Sequence, residues 1–412
     1  MANSAAGTVL RDPNARRFFA GHFTSLLGDG MVGMALAFAV LDLTGSPTDL
    51  GTVLSARTIA LLAAMLAGGV VADRFSRRRV MLTADVVRIL TQSGMAVLLL
   101  SGHARIWELA TMQVVYGAAT AMFTPAVTGL LPQIAGERLQ QANALRGQAI
   151  SLAYLVGPAV AGVMITATNP GWVFVLDALS FAISAYQLAR LRVVGIAEPR
   201  RSQSMLRDLA EGWAEFRVRG WLWAYLSIVS LNNMLFAVFI VLGPAVVGRA
   251  GTGPAQWSAL AVAIGIGALL GGTVAAKIAP RYPARIASRM QMLIPLPVIG
   301  LAAHLPIPVL MALCLFAGAG TTVSNVMWGT LQQRHIDAAV LSRVNSFTEL
   351  GSLAAQPIGQ AGAGPVAAAI GIPATLWSAG LIQFGVAFLG LTLPQTRNLP
   401  AEPAGSATAA DR

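Results

Sequence analysis

Long apolar stretches separated by short polar turns repeat along almost the whole chain. A helix needs about 20 apolar residues to cross the hydrocarbon core of a bilayer. Twelve segments have that character, at 17–41, 48–72, 80–101, 106–131, 143–167, 171–192, 221–246, 256–278, 285–303, 307–330, 343–369 and 373–393. The middle of the chain breaks the rhythm. Glu198-Pro199-Arg200-Arg201 is followed by Leu206, Leu209, Trp213 and Phe216 at helical spacing between charges. That pattern predicts a cytoplasmic linker with an amphipathic helix lying along the membrane surface. The expected organisation is a tail at 1–14, a six-helix half at 15–193, the linker at 194–220, a second six-helix half at 221–393 and a tail at 394–412. The first 14 residues are polar and lead into a full-length span, so a cleaved signal peptide is not expected.

The two halves resemble each other. Gly117-Ala118-Ala119-Thr120 aligns with Gly318-Ala319-Gly320-Thr321, and with one further residue of offset Asn143 meets Asn345, Gly157 meets Gly359 and Gly162 meets Gly364. The turn at Gly272–Lys277 repeats the turn at Gly69–Arg74, with Ala276 in the place of Asp73. A 6+6 repeat about a central linker is the pattern of a transporter whose halves rock about a midplane site. The predicted fold is therefore all-α and membrane-integral, with twelve spans in two pseudo-symmetric halves.

Composition supports the same picture. The chain is 56% hydrophobic and only 11% charged, against about 25% charged in soluble domains. Most of its surface must face lipid. The net charge of +11 suggests nucleic acid until its distribution is read. With the N-terminus in the cytoplasm, the inner turns collect Arg16, Arg17, Arg77, Arg78, Arg79, Arg200, Arg201, Arg281 and others, while the outer turns keep Arg105 and Arg249. That bias predicts an N-in, C-in orientation, and no basic soluble domain is present to bind nucleic acid. Cys314 is the one cysteine, so no internal disulfide or multi-thiol metal site is available.

Energy and chemistry are narrowed by missing motifs. The chain has no Gly-x-x-x-x-Gly-Lys-Ser/Thr loop for ATP, no His-Glu-x-x-His and no Gly-x-Ser-x-Gly. A membrane enzyme is therefore disfavoured, no cofactor is expected, and an ion gradient is the expected energy source. An ionisable group at the bilayer centre costs about 2.5–3.5 kcal/mol or more, so each needs a partner or a task. Asp29 lies midway along the first span, where it is a candidate proton-coupling acid or a structural one. Arg57 lies at similar depth on the second span, so an Asp29–Arg57 pair, or a cavity reached by both, is expected; the alternative use of Arg57 is to attract an anionic substrate. Asp85 and Arg88 share a face of the third span near its inner end, as an intrahelical pair or joined to the Asp73–Arg74 turn in a structural gate network. Asp177 reads as structural, snorkelling or hydrogen-bonded near the outer end of the sixth. Gln113, Asn232, Asn233 and Asn325 are candidates to line a substrate cavity or to bridge helices. Gly157-Pro158, with Gly162, supplies a bend and close packing.

These motifs carry a resemblance to the major facilitator superfamily over nearly the full chain. Gly69, Asp73, Arg74, Arg77 and Arg78 stand where its G-x-x-x-D-R-x-G-R-R signature has them, with Ser76 for the second glycine. Gly157-Pro158-Ala159-Val160-Ala161-Gly162 is close to the G-P-x-x-G-G pattern of its antiporters, with Ala161 departing from it. Gln113 stands where drug/proton members often carry arginine. Gly28-Asp29, Asp85-x-x-Arg88, Phe123-Thr124-Pro125-Ala126 and Asp177-Ala178-x-Ser180-Phe181 resemble the branch of macrolide-efflux proteins and enterobactin-type siderophore exporters. The resemblance implies proton-driven export of a small amphipathic molecule from a bacterial cell, across the inner membrane, by a monomer. Import by symport and lysophospholipid flipping are the alternatives. It also implies that the 2–3 turn meets the start of the eleventh span, where Asp73 would cap the helix and Glu349 would attract Arg74 or Arg77 as an inner gate.

Overall fold

The computed structural model describes residues 9–191, 213–214, 216–248, 253–394 and 399–401, and within its helices the side chains of 66–74, 338–339 and 342–343 lie outside the described set. The described secondary structure is helical throughout. The first half contains α1 (Pro13–Thr44), α2 (Pro47–Arg74), α3 (Arg77–Leu100), α4 (Ile106–Ala135), α5 (Leu139–Ala167) and α6 (Pro170–Ala189). The second contains α7 (Gly220–Gly248), α8 (Gly253–Ala275), α9 (Pro283–Gln291), α10 (Leu296–Ala302), α11 (Ile307–His335), α12 (Ala338–Ala354), α13 (Gln356–Ile370) and α14 (Ile372–Thr392). Sequence-local signals set several ends. Asp12 accepts from Asn14 N at 2.7 Å and Ala15 N at 3.0 Å ahead of Pro13, and Gly45 at φ 66° closes α1. That is N-capping with proline in the first turn and a left-handed C-terminal glycine.

Among the described residues, nine helical stretches are long and apolar enough to cross a membrane. Two predicted spans are broken. The 285–303 segment is α9 followed by α10, with Pro295 and Pro297 at the break, and the 343–369 segment is α12 followed by α13, with Pro357 in the first turn of α13. Proline lacks the amide proton and its ring clashes with the preceding turn, so an apolar run alone overstates helix continuity at both places. Exposed Leu90, Val97, Val163, Ile358 and Leu389 leave apolar outer faces, as lipid contact requires.

The chain divides into two compact units. The first is Met1–Ser202 with Pro244–Val262, and the second is Gln203–Gly243 with Ala263–Arg412. The α7–α8 hairpin tip thus belongs to the first unit, which a cut at 194–220 does not anticipate. There Ser258 Oγ donates to Pro158 O at 2.8 Å, and Gly162 leaves the space that the Ser258 side chain fills. In unit 1, α1 packs on α5 and α6 and only lightly on α2, while α2 packs on α4. Phe18, Phe19, Met81, Phe123 and Leu130 fill its core toward one end.

The internal repeat is visible as packing. A Cβ on Gly117 would lie 2.5 Å from Arg57 O on α2, and one on Gly318 would collide with Ile264 O on α8. A Cβ on Gly157 would lie 2.6 Å from Gly30 C on α1, and one on Gly359 would collide with Met234 O on α7. Each aligned glycine pair therefore marks the same close helix crossing in its own unit, where only a hydrogen fits. At the linker's end, Trp213 packs on Phe216, Trp223 and Phe347 at 5.5–6.0 Å between ring centroids. Leu206 and Leu209 of the predicted amphipathic helix lie outside the described residues.

Candidate functional site

Unit 1 holds a buried polar network built from two helix faces. On α3, Asp85, Arg88 and Gln92 recur at spacings of three and four, and on α6, Asp177, Ser180, Phe181 and Ser184 do the same. The α3 and α6 stripes meet each other inside the unit. Arg88, 1% exposed, bonds Asp85 Oδ1 at 2.7 Å and approaches Asp29 Oδ2 at 3.7 Å. Its guanidinium carbon sits 3.9 Å from the Phe123 ring centre and 4.4 Å from that of Phe181. Two aromatic faces and two carboxylates thus hold a cation that lipid would expel. Ser184 Oγ donates to Asp85 Oδ2 at 2.7 Å.

Asp29 and Asp177 extend the network. The Tyr116 hydroxyl donates to Asp29 Oδ1. Arg57 lies over the other part of Tyr116, 4.7 Å from its ring centre. Gln92 Nε2 donates to Asp177 Oδ2, and Ser180 Oγ lies 3.3 Å from Asp177 Oδ1. Gly28 matters here because a Cβ at that position would collide with Asp177 Oδ1. Asp85 and Asp177 are fully buried, whereas the Asp29 side chain is 25% exposed. Two carboxyls therefore hold one sealed guanidinium, a third, Asp177, joins the network through Gln92, and Asp29 is the least buried of the three.

Several sequence expectations change. The ion-pair partner of Asp29 is Arg88, in place of Arg57. Depth along the helices put Arg57 close, but α1 packs on α5 and α6 more than on α2, and Tyr116 stands between the two groups. Asp85 and Arg88 form the intrahelical pair that their spacing allows, and they join Asp29 inside the unit. Of the two structural readings of Asp177, the structure has the hydrogen-bonded one, sealed against α1, and not the snorkelling one. Gln113 is fully buried and neither of its amide atoms has a hydrogen-bond partner; it lines no described cavity. Tyr116, Gln92 and Ser184 were not singled out from sequence, and the polar stripe on each helix is the signal that finds the last two.

The charged turn is described only in part. Gly69, Asp73 and Arg74 lie outside the described side chains. Arg77 donates to Gly129 O on α4, through space that a Cβ at Gly129 would fill. Arg78 Nε donates to Leu188 O at 2.9 Å and its other nitrogen to Ala189 O, while Arg17 reaches Arg190 O at 2.9 Å. Two arginines from α1 and α3 therefore satisfy the last carbonyls of α6, where the helix dipole favours cations.

Unit 2 has a different interior. A cavity of about 380 Å³ is lined by side chains that include Asn232, Asn233, Gln291, Asn325, Asn345 and Glu349. Asn232 Nδ2 donates to Gln291 Oε1 at 3.4 Å, and Gln291 Nε2 donates to Ser324 Oγ at 3.2 Å. Asn233 Nδ2 donates to Ser352 O at 2.9 Å, and Gln383 Nε2 to Asn232 O at 3.2 Å. The structure brings the candidates Asn232, Asn233 and Asn325 together and adds Glu349, expected at the gate. The repeat gives this arrangement a meaning. Asp29 directly precedes Gly30, and Asn233 directly precedes Met234, the residue at the matching helix crossing. An aspartate in one half thus becomes an asparagine in the other.

Comparison with known proteins places this architecture. The chain matches the Major Facilitator Superfamily over residues 18–360 and belongs to that superfamily of membrane transporters. It is 30% identical to the multidrug efflux pump Tap of Mycolicibacterium fortuitum over 401 residues, covering 91% of this chain and 94% of that one. Macrolide efflux protein A of Streptococcus pyogenes is 25% identical over 83% of this chain and 86% of its own. The enterobactin exporter EntS of Escherichia coli O81 is 24% identical over 92% and 91%. The crystal structure of the nucleoside transporter NupG superposes with a TM-score of 0.71 at 13% identity, over 91% of this chain and 98% of that one, which is likeness of fold. The chain is thus a multi-pass transporter that resembles efflux pumps over most of its length.

Proposed function

We propose that this protein exports a small amphipathic molecule in exchange for protons across a bacterial inner membrane, through twelve spans in an N-in, C-in orientation. The observation that carries this is the buried acidic cluster of unit 1. Asp29 and Asp85 pair with one buried guanidinium, Arg88, Asp177 joins the network through Gln92, and Asp29 is the partly exposed carboxyl of the three. Uncompensated charge is costly inside a bilayer. A proton on Asp29 weakens its pull on Arg88, and loss of that proton restores it. Such a group can respond to a proton gradient while Asp85 keeps Arg88 in place. The efflux relatives support the outward direction, and the amide cavity of unit 2 supplies a place for cargo that needs no fixed ion pair.

The test is transport in everted membrane vesicles carrying the full-length protein. A gradient made acidic inside should drive accumulation of an efflux-pump dye such as ethidium, and a protonophore should release it. Uptake indifferent to the gradient would remove proton coupling, and uptake driven only by the opposite gradient would make the protein an importer.

A further inference from the structure

The cavity of unit 2 presents a buried acceptor that lacks a donor. Asn232 is 4% exposed, and its Oδ1 has no hydrogen-bond partner, although its Nδ2 is bonded to Gln291. A buried amide oxygen left without a donor is costly, so a water or a ligand must supply the missing hydrogen bond. Glu349 and Asn345 lie four residues apart on α12 and so share a face; both are exposed and both line the same cavity. None of the described residues lining the cavity is basic. Among the described residues, the walls therefore offer one full negative charge, that of Glu349, and several amide and hydroxyl oxygens. The volume of about 380 Å³ falls within the range of about 300–1,000 Å³ found for small-molecule sites.

The geometry points to a cation subsite in this cavity, where Glu349 pairs with a cationic amine of the cargo and Asn232 Oδ1 accepts a hydrogen bond from an N–H or O–H group beside that charge. The cargo class is then a cationic amphiphile bearing hydrogen-bond donors, and an anionic compound is rejected. Glu349 becomes a specificity-determining residue. This deepens the export function proposed above and rests on it for the identity of the ligand as cargo. Because the titratable network of unit 1 contains no cavity-lining residue, recognition and coupling involve different side chains.

The experiment is equilibrium binding to the full-length protein in nanodiscs, read by fluorescence anisotropy at low ionic strength. Ethidium, a cation with two aromatic amines, should bind saturably. Glu349→Gln and Asn232→Ala should each weaken it by about tenfold. Glu349→Gln should change the affinity of a neutral probe, N-phenyl-1-naphthylamine, by less than twofold, and the anion fluorescein should not compete. Thermal unfolding of each variant excludes misfolding as the cause. Equal ethidium affinity in wild type and a folded Glu349→Gln variant would overturn the subsite, as would fluorescein competition or the absence of saturable ethidium binding to folded wild type. Failure of the export function reads differently: Glu349-dependent binding without gradient-driven uptake in everted vesicles would leave the subsite and remove the transport direction. Gradient-driven ethidium uptake that ignores Glu349→Gln would do the reverse.

Discussion

Arg88 is the sealed cation at the centre of the unit 1 network. It is sealed, paired with Asp85 and Asp29 and enclosed by Phe123 and Phe181. Removing one partner of a buried pair leaves the other charge without compensation, which typically costs about 3–5 kcal/mol. Arg88→Ala should therefore lower thermal stability of the purified protein by about that amount. Adding Asp85→Ala to it should recover part of the loss, because the stranded charge goes too. A double variant no more stable than Arg88→Ala would show that Asp85 is not the charge Arg88 compensates. Arg88→Lys should also fall short of wild type, since a point-like ammonium cannot fill the planar slot between two rings. Asp29 was legible in the sequence because a charge midway along an apolar span stands out. Its partners were not, because Arg88 and Tyr116 reach it from helices whose register against α1 is set by packing.

Helix crossings, more than helices, explain how these side chains meet. α1 lies against α5 through Gly30 and Gly157 and leaves room for Asp177 through Gly28. α7 repeats the first of these contacts with Met234 and Gly359. A methyl group at either aligned glycine must push a backbone aside, a form of overpacking that costs about 1–3 kcal/mol. Gly157→Ala and Gly359→Ala should each destabilise the protein by that order in thermal unfolding, whereas Gly147→Ala, with open space around it, should not. Comparable stability of all three variants would dissolve the equivalence of the two crossings. The glycine pairs were readable from the repeat alone. The breaks at Pro295 and Pro357 were in the sequence as well, but an apolar run long enough to span outweighed them. Sequence depth also misled at Arg57, because chain neighbours α1 and α2 are poor packing neighbours.

At the scale of the whole chain, the two halves repeat in packing and differ in chemistry. Unit 1 places ionisable groups around Arg88; unit 2 places amides around a cavity, with Asn233 at the position matching Asp29. The decayed turn at Gly272–Lys277, which has lost the equivalent of Asp73, follows the same trend. The repeat keeps small residues at the crossings while an acid gives way to an amide, and under the proposed function it keeps the mechanical frame while separating the tasks. Composition, span pattern and the glycine repeat made the fold legible early, since each is a local property of the chain. The contrast between the carboxyl network of unit 1 and the amide-lined cavity of unit 2 needed the structure, because it depends on which polar side chains of different helices share one space. The most direct measurement is transport by Asp29→Asn in proteoliposomes against wild type, with an imposed proton gradient and, separately, with cargo exchange at equal pH. The account predicts that gradient-driven accumulation of ethidium is lost while exchange at equal pH persists. Gradient-driven accumulation at the wild-type level in Asp29→Asn would contradict it.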